Sequence, residues 1–310
     1  MTPTAGIVQI GRVDVKLSRP DKVLFPGDGI TKGDLVEHYR RVAPRMLPTL
    51  RDRPISFVRY PDGIQGESFF QQSASSYFPD WIKRARVTKE HGHIDHVLCQ
   101  DEATLAYLAN QAAITLHCWL ARADTPDRPD RMLFDLDPPD QGKFTEAVSA
   151  ARSLRALLDE LSLPSMLSTT GGRGLHVYVP IARRQDADAV REFARAVADL
   201  LAEREPDRFT TEVRKEHRKG RLYLDISRNA YAQNAVASYS VRARPGAPVA
   251  TPLDWAELDD KRLTPSRFTL RTTPTRLEDE DPWRDPPSPV SSLRAARSRL
   301  DAMSVDQPPT

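Results

Sequence analysis

The sequence predicts an α+β (α/β) protein, and three observations carry that prediction. Between residues 131 and 226, short apolar strands alternate with amphipathic helices. The first 125 or so residues carry strand and helix patterns of their own, so an N-terminal α+β part packs against that core. At 310 residues, with 39% hydrophobic and 28% charged, the chain has the material for one large or two moderate domains. Composition also sets bounds on function. A net charge of +2 gives no global basic field, so a polyanionic partner must be met by local patches. The two cysteines, Cys99 and Cys118, form no CxxC pair, which argues against a disulfide framework or zinc knuckle and suits the cytoplasm. No apolar run approaches the ~20 residues of a membrane span, and the start lacks a signal peptide's apolar core. A cytosolic protein is expected.

Taken in order, VQIGRVDVKL (8–17) alternates apolar and polar residues and reads as a strand or the arm of a hairpin. A turn-rich loop follows. Thr31 and Asp34 then stand as a capping box for a helix with Leu35, Tyr39, Val42 and Met46 on one face. Pro54–Tyr60 reads as a strand and PDGIQGE as a loop. ESFFQQSASSYFPDWIKRARV interleaves aromatic and basic residues. Asp101 opens a helix predicted to run to Trp119, on the spacing of Leu105, Leu108, Ala112 and Leu116.

Arg131–Asp137 (RMLFDLD) is a short buried strand broken by Pro138 and Pro139. Residues 144–161 form an amphipathic helix, Met166–Thr169 and Leu175–Pro180 are strands, and 186–204 is a second strong helix. A basic segment, VRKEHRKGR, leads into a strand at 222–226. Residues 227–252 read as extended chain around the domain body, LDWAEL as a helical turn, and 291–303 as a terminal helix before a polar tail.

Three features converge on chemistry. Side chains alternate along a strand, so Asp135 and Asp137 share a face, roughly 7 Å apart along the backbone, while Leu136 points into the core. Two carboxylates so placed repel unless a hard cation lies between them. Alternatively, they merely cap a strand. The second feature is the turn TTGGRGLH between two strands, where Gly171, Gly172 and Gly174 let backbone N–H groups approach an anion. Arg173 adds charge there, and His176 emerges on the next strand. Most such turns are only tight hairpins, and this one fails the P-loop and Rossmann patterns. The third is Asp225, another carboxylate leaving a buried strand. Together they are the parts of a two-metal nucleotidyltransferase using two Mn²⁺ or Mg²⁺ ions.

The order and wording of several segments add to this: PDKVLFP, TKGDL, RPISFVRYPDGI, ESFFQQ, LFDLDP, TTGGRGLHVYVP, LYLDISRN and SYSVRARPGAPVATPLDWAEL. Over roughly residues 12–260 the chain resembles the polymerase domain of bacterial ligase D, of the archaeo-eukaryotic primase superfamily. The resemblance implies a primase-type catalytic core on an RRM-like sheet. It implies a template-directed polymerase for double-strand break repair that favours ribonucleotides and Mn²⁺. It sets a catalytic domain at 1–285, with an N-terminal subregion to about 125 and a core at about 126–260, then a helix and polar tail at 286–310. Asp135, Asp137 and Asp225 match the metal carboxylates. His117, at the end of its predicted helix, matches a histidine near the incoming sugar. Thr170, Gly171, Gly172, Arg173, Gly174 and His176 match the triphosphate loop, and Arg59 and Arg244 match basic residues around the nucleotide.

Phe69 and Phe70 match an aromatic pair that stacks on the template, Lys22 and Lys32 a site for a downstream 5′-phosphate, and Arg218 a mobile loop at the primer end. The sequence departs from the family pattern at Thr170 (serine is common), Arg173 (lysine), Arg19 (asparagine), Gln72 (lysine), and Ile226 and Arg228 (tryptophan and glutamine). The implied partners are an NTP, a primer-template or gapped DNA, Ku, and a separate ATP-dependent ligase, since no ligase lysine motif or nuclease module is present. A nucleoid-associated cytoplasmic monomer is expected. Two other readings compete: a Mn²⁺-dependent glycosyltransferase built on the Asp-x-Asp, and a catalytically silent DNA-end-binding module.

Overall fold

The computed structural model describes residues 6–89, 92–139 and 143–305. In chain order the elements up to Asp124 are β1 (Gly6–Ile10), β2 (Val13–Leu17), β3 (Val23–Phe25), β4 (Ile30–Thr31), α1 (Lys32–Leu50), β5 (Pro54–Arg59), β6 (Phe69–Gln71), β7 (Arg84–Lys89), β8 (Gly92–Leu98), α2 (Glu102–Asn110) and β9 (Ala113–Trp119). Next come β10 (Arg131–Asp137), α3 (Phe144–Glu160), β11 (Met166–Thr169), β12 (Leu175–Pro180), α4 (Ala187–Arg204), β13 (Phe209–Thr210) and β14 (Leu222–Asp225). The remainder adds β15 (Asn234–Val236), β16 (Pro252–Leu253), α5 (Thr273–Arg276) and α6 (Arg294–Val305). The chain divides into two units. One takes the chain up to Asp124 with Asn234–Thr251 and Ser266–Arg284; the other takes Thr125–Gln233, Pro252–Pro265 and the chain from Asp285. The stretch from Asn234 therefore feeds both units in turn, and α6 belongs to the second. The end of the polar tail (306–310) lies outside the described residues.

In the first unit the sheet order is β15-β9-β5-β8-β7, with β6 also paired to β5. β5 sits centrally because Ile55 and Phe57 are fully buried. The Thr31 capping box forms: the Asp34 N–H donates to the Thr31 hydroxyl at 3.2 Å, and the Asp34 carboxylate accepts from the Thr31 N–H at 2.8 Å. Leu35, Tyr39, Val42 and Met46 are the buried face of α1. Residues 8–17 are a hairpin of β1 and β2, turning at Gly11 (φ +60°).

The predicted helix over 101–119 is corrected. It ends at Asn110, and Ala112 adopts a left-handed backbone (φ +55°). Residues 113–119 then form β9, paired with β5 from Ile55 opposite Cys118 to Arg59 opposite Ala113. The run Ala-Ile-Thr-Leu-His-Cys-Trp carries β-branched and aromatic residues that favour a strand. Its apolar spacing happens to continue the helical period, and no glycine or proline marks the break. The strands β6, β7 and β8, inside or just after the aromatic-basic stretch, were not predicted.

In the second unit the sheet order is β13-β14-β10-β12-β11-β16, antiparallel except for β13–β14. The helices α3 and α4 pack against β10, and Met132, Phe134 and Leu136 are fully buried. Where β14 ends, the Asn229 side chain continues the ladder: it accepts from the Leu133 N–H at 2.8 Å and donates to the Leu133 carbonyl at 2.7 Å. That clamp holds the middle of β10 in line ahead of its acidic end.

Candidate active site

Register builds the acidic cluster. Asp135 lies directly opposite Asp225 of β14 on one side and His176 of β12 on the other. Opposed residues in antiparallel strands share a face, with Cβ atoms about 4.5–5.5 Å apart. Asp137, two residues on, opposes Tyr223 and shares that face. Three carboxylates and an imidazole thus line one side of three adjacent strands. His176 is buried, with Nε2 3.5 Å from Asp135 Oδ1 and Nδ1 3.0 Å from the Tyr178 hydroxyl. Asp225 Oδ1 accepts from the Ser227 N–H at 2.7 Å, which fixes its rotamer. Tyr178 is missing from the sequence-derived set, although its spacing of two from His176 on one strand placed both on the same face.

The glycine turn links β11 to β12 and is closed from within. The Thr170 N–H donates to the Gly174 carbonyl at 3.1 Å. The Thr170 hydroxyl accepts from the N–H of Gly172 at 3.1 Å and that of Gly174 at 3.4 Å, and lies 3.2 Å from the Gly174 carbonyl. Thr170 is therefore the clasp of the loop, its hydroxyl engaged by the backbone of Gly172 and Gly174. Gly171 has φ +61°, which a side chain would strain. Arg173 is exposed at the tip. Gly174 lies against β10, where a Cβ would collide with the Leu136 carbonyl and come within 2.6 Å of Asp137 Oδ1. The glycine loop and the carboxylate strand are thus in direct contact.

These residues fit a hard divalent cation in donor chemistry, since the carboxylates offer only oxygen. As the side chains stand, no three His, Cys, Asp or Glu among the described residues converge to enclose an ion. Arg218 lies outside the row: it donates to the carbonyls of Glu212 at 3.0 Å and Val213 at 2.8 Å, and its guanidinium stacks 4.0 Å over Tyr223.

In the first unit His117 is mid-strand in β9, opposite Ser56 and Val236, and not at a helix end. Its ring meets Phe70 edge-on, with centroids 6.3 Å apart. Phe69 and Phe70 are 53% and 55% exposed, too open to be core. Arg59 is held by the Gln111 carbonyl (2.9 Å), Gln71 Oε1 (3.2 Å) and the Tyr77 hydroxyl (2.8 Å). Arg244 is exposed in a turn steadied by Gly246 N–H donating to Asp28 at 2.8 Å. Lys32 begins α1, its amine 3.2 Å from the Ser18 hydroxyl, and Lys22 pairs with Asp62 at 2.6 Å. Burial first, and the charges of Arg19 and Lys22 second, bring the Lys32 amine down to about 8.

A model of the LigD primase-polymerase domain matches residues 31–283. The chain belongs to this family. The multifunctional non-homologous end joining protein LigD of Pseudomonas aeruginosa is 35% identical over 299 residues, covering 96% of this chain and 36% of that protein. The bifunctional LigD of Bacillus subtilis is 32% identical over 280 residues, covering 88% and 45%. The chain thus spans a third to a half of these relatives. The polymerase domain of Mycobacterium tuberculosis ligase D, solved in complex with DNA, superposes with a TM-score of 0.80 at 31% identity, covering 95% of this chain and 99% of that one. The expected primase-type fold is therefore the observed one. Family membership also leaves the glycosyltransferase reading without support. No helix among the described residues is long and apolar enough to cross a membrane.

Proposed function

We propose that the chain is a template-directed nucleotidyltransferase that extends or gap-fills DNA ends in non-homologous end joining, adding ribonucleotides in preference to deoxyribonucleotides. The observation that carries this is the row Asp225–Asp135–His176 across three strands, with the glycine loop against Asp137. Asp135, Asp137 and Asp225 would hold Mn²⁺ or Mg²⁺, which supplies charge neutralisation at the reacting phosphate. Arg173 and the loop's backbone N–H groups would receive the triphosphate. His176 is fixed by Tyr178 and orients Asp135. Phe69 and Phe70 would stack on template, and Arg218, released from Tyr223, would meet the primer end. A primer-template or gapped DNA and an NTP are the substrates, with Ku and an ATP-dependent ligase as partners. The test is labelled NTP or UDP-sugar with gapped DNA and Mn²⁺: extension supports the reading, sugar transfer or binding without turnover overturns it.

Sugar choice should rest on His117, since the Thr170 hydroxyl is engaged within its loop. Leaving a polar group unpaired costs about 1–3 kcal/mol, so NTPs should be added roughly tenfold to a hundredfold more efficiently than dNTPs. His117→Ala should lower that ratio mainly by slowing NTP addition. Comparing kcat/KM for one NTP and its dNTP on a single-nucleotide gap decides it; an unchanged ratio in the variant removes His117 from sugar recognition.

Lys22, Lys32 and the start of α1 form a site for a 5′-phosphate on the downstream strand. The Lys32 amine has a lowered pKa, so it loses its proton as pH rises through about 8. Preference for 5′-phosphate over 5′-hydroxyl gaps should therefore be full near pH 7 and fall about tenfold at most by pH 9.5, the worth of one charged contact. Bound phosphate will move the midpoint upward. Lys22→Ala/Lys32→Ala should lack the preference at both pH values; a pH-independent preference in the wild type excludes the Lys32 amine.

A further inference from the structure

Among the described residues the exposed large aromatics are Phe69, Phe70, Tyr77 and Tyr231, and three of these four lie within nine residues. Single exposed apolar side chains are ordinary, but clustered ones mark an interaction surface. Tyr77 enters the candidate site only through its hydroxyl, which helps hold Arg59, and its ring is left without a task. It is 58% exposed, yet it is rigidly mounted. Its ring packs edge-on against Phe78 at 5.2 Å, and Phe78 is itself buried between Phe57 at 6.3 Å and Tyr107 at 5.1 Å. Its hydroxyl accepts from Arg59 at 2.8 Å, and Arg59 stands directly opposite Phe69 across β5 and β6. A fixed cation thus lies between two exposed rings. Arg84, seven residues beyond Tyr77, donates to the Phe78 carbonyl at 2.8 Å and is anchored to the same base.

We propose that Phe69, Arg59 and Tyr77 form a ledge for unpaired DNA, on which Tyr77 stacks a base and Arg59 meets the strand's phosphate. This goes beyond nucleotide addition and gives Arg59 a role on the DNA strand in place of one at the incoming nucleotide. The chemistry selects the occupant. Flat exposed rings alternating with a guanidinium match a strand whose bases are free and whose backbone is anionic, and stacking accepts any base. A duplex offers free base faces only at its two ends. A rigidly held tyrosine loses little freedom on contact, so its stacking is not offset by ordering.

The test uses the full chain without nucleotide or metal, so its failure would leave the polymerase reading intact. Binding of a fluorescein-labelled dT₂₀ strand is compared with a blunt duplex of equal length. Tyr77→Ala should weaken single-strand binding about tenfold and leave duplex binding within about twofold. Tyr77→Phe should keep single-strand binding within about twofold of wild type, and Tyr77→Leu should not. Arg59→Gln should flatten the salt dependence of single-strand binding by about 0.7 in log–log slope, one phosphate contact. Wild-type affinity in Tyr77→Ala overturns the ledge. Should that variant lose its circular dichroism signature, the leucine and phenylalanine variants decide, and equal binding by those two overturns it.

Discussion

Asp137→Ala is expected to remove nucleotide addition, lowering kcat on gapped DNA by about a thousandfold or more. A divalent cation stabilises the charge developing at a phosphoryl group by several kcal/mol, and each 1.36 kcal/mol is about tenfold in rate. Asp137 lies two residues along β10 from Asp135, on the face that both share with Asp225 of β14. Losing it should leave Asp135 and Asp225 unable to hold two ions. DNA binding should stay within about threefold, because the aromatic and basic residues read as DNA contacts lie elsewhere in the chain. Asp137→Asn keeps the shape and removes the charge, and should be nearly as inactive. Addition within about tenfold of wild type at saturating Mn²⁺ would defeat the metal-carboxylate assignment.

How much of this was legible in the sequence differs residue by residue. The Asp-x-Asp strand was legible because period-two alternation is local: two carboxylates with a buried leucine between them need no tertiary knowledge. Asp225 and His176 were legible as candidates but not in their places, since only the register of β14 and β12 brings them to either side of Asp135. The helix expected at 101–119 shows the converse failure. Leu105, Leu108, Ala112 and Leu116 keep helical spacing, but Ala112 turns left-handed without a glycine to announce it, and pairing with β5 then outweighs propensity. His117 was singled out by resemblance, with its strand setting unseen. Thr170 was legible as a polar residue before glycines. That its hydroxyl faces inward depends on the loop's closed geometry, which a string of residue types does not contain. The return of residues 234–251 and 266–284 to the first unit was also out of reach, because no local pattern encodes which core a loop-rich stretch will join.

Gly174→Ala is expected to damage both stability and turnover, although it adds one methyl group. Gly174 does not need glycine for its backbone angle; it needs glycine for space. A Cβ there would run into the Leu136 carbonyl, and it would lie 2.6 Å from Asp137 Oδ1. A flexible side chain could move aside. A carbonyl in the middle of a six-stranded sheet cannot do so without breaking ladder bonds between β10 and its neighbours. Overpacking of this kind costs typically about 1–3 kcal/mol, and the rigid backbone neighbour puts this case at the upper end. Whatever relaxation occurs must push β10 and the loop apart, and that displaces the Asp137 carboxylate and loosens the Thr170 clasp through the Gly174 N–H and carbonyl. Activity should therefore fall further than the loss of folded protein explains, by about a hundredfold at a temperature where the variant is fully folded. Gly172→Ala is the control, since Gly172 has no left-handed angle. It should cost less than about 1 kcal/mol. Denaturant unfolding and single-turnover extension on the same preparations separate the two effects. If Gly174→Ala is as stable as Gly172→Ala and extends primers at the wild-type rate, the loop does not seat against the carboxylate strand as described.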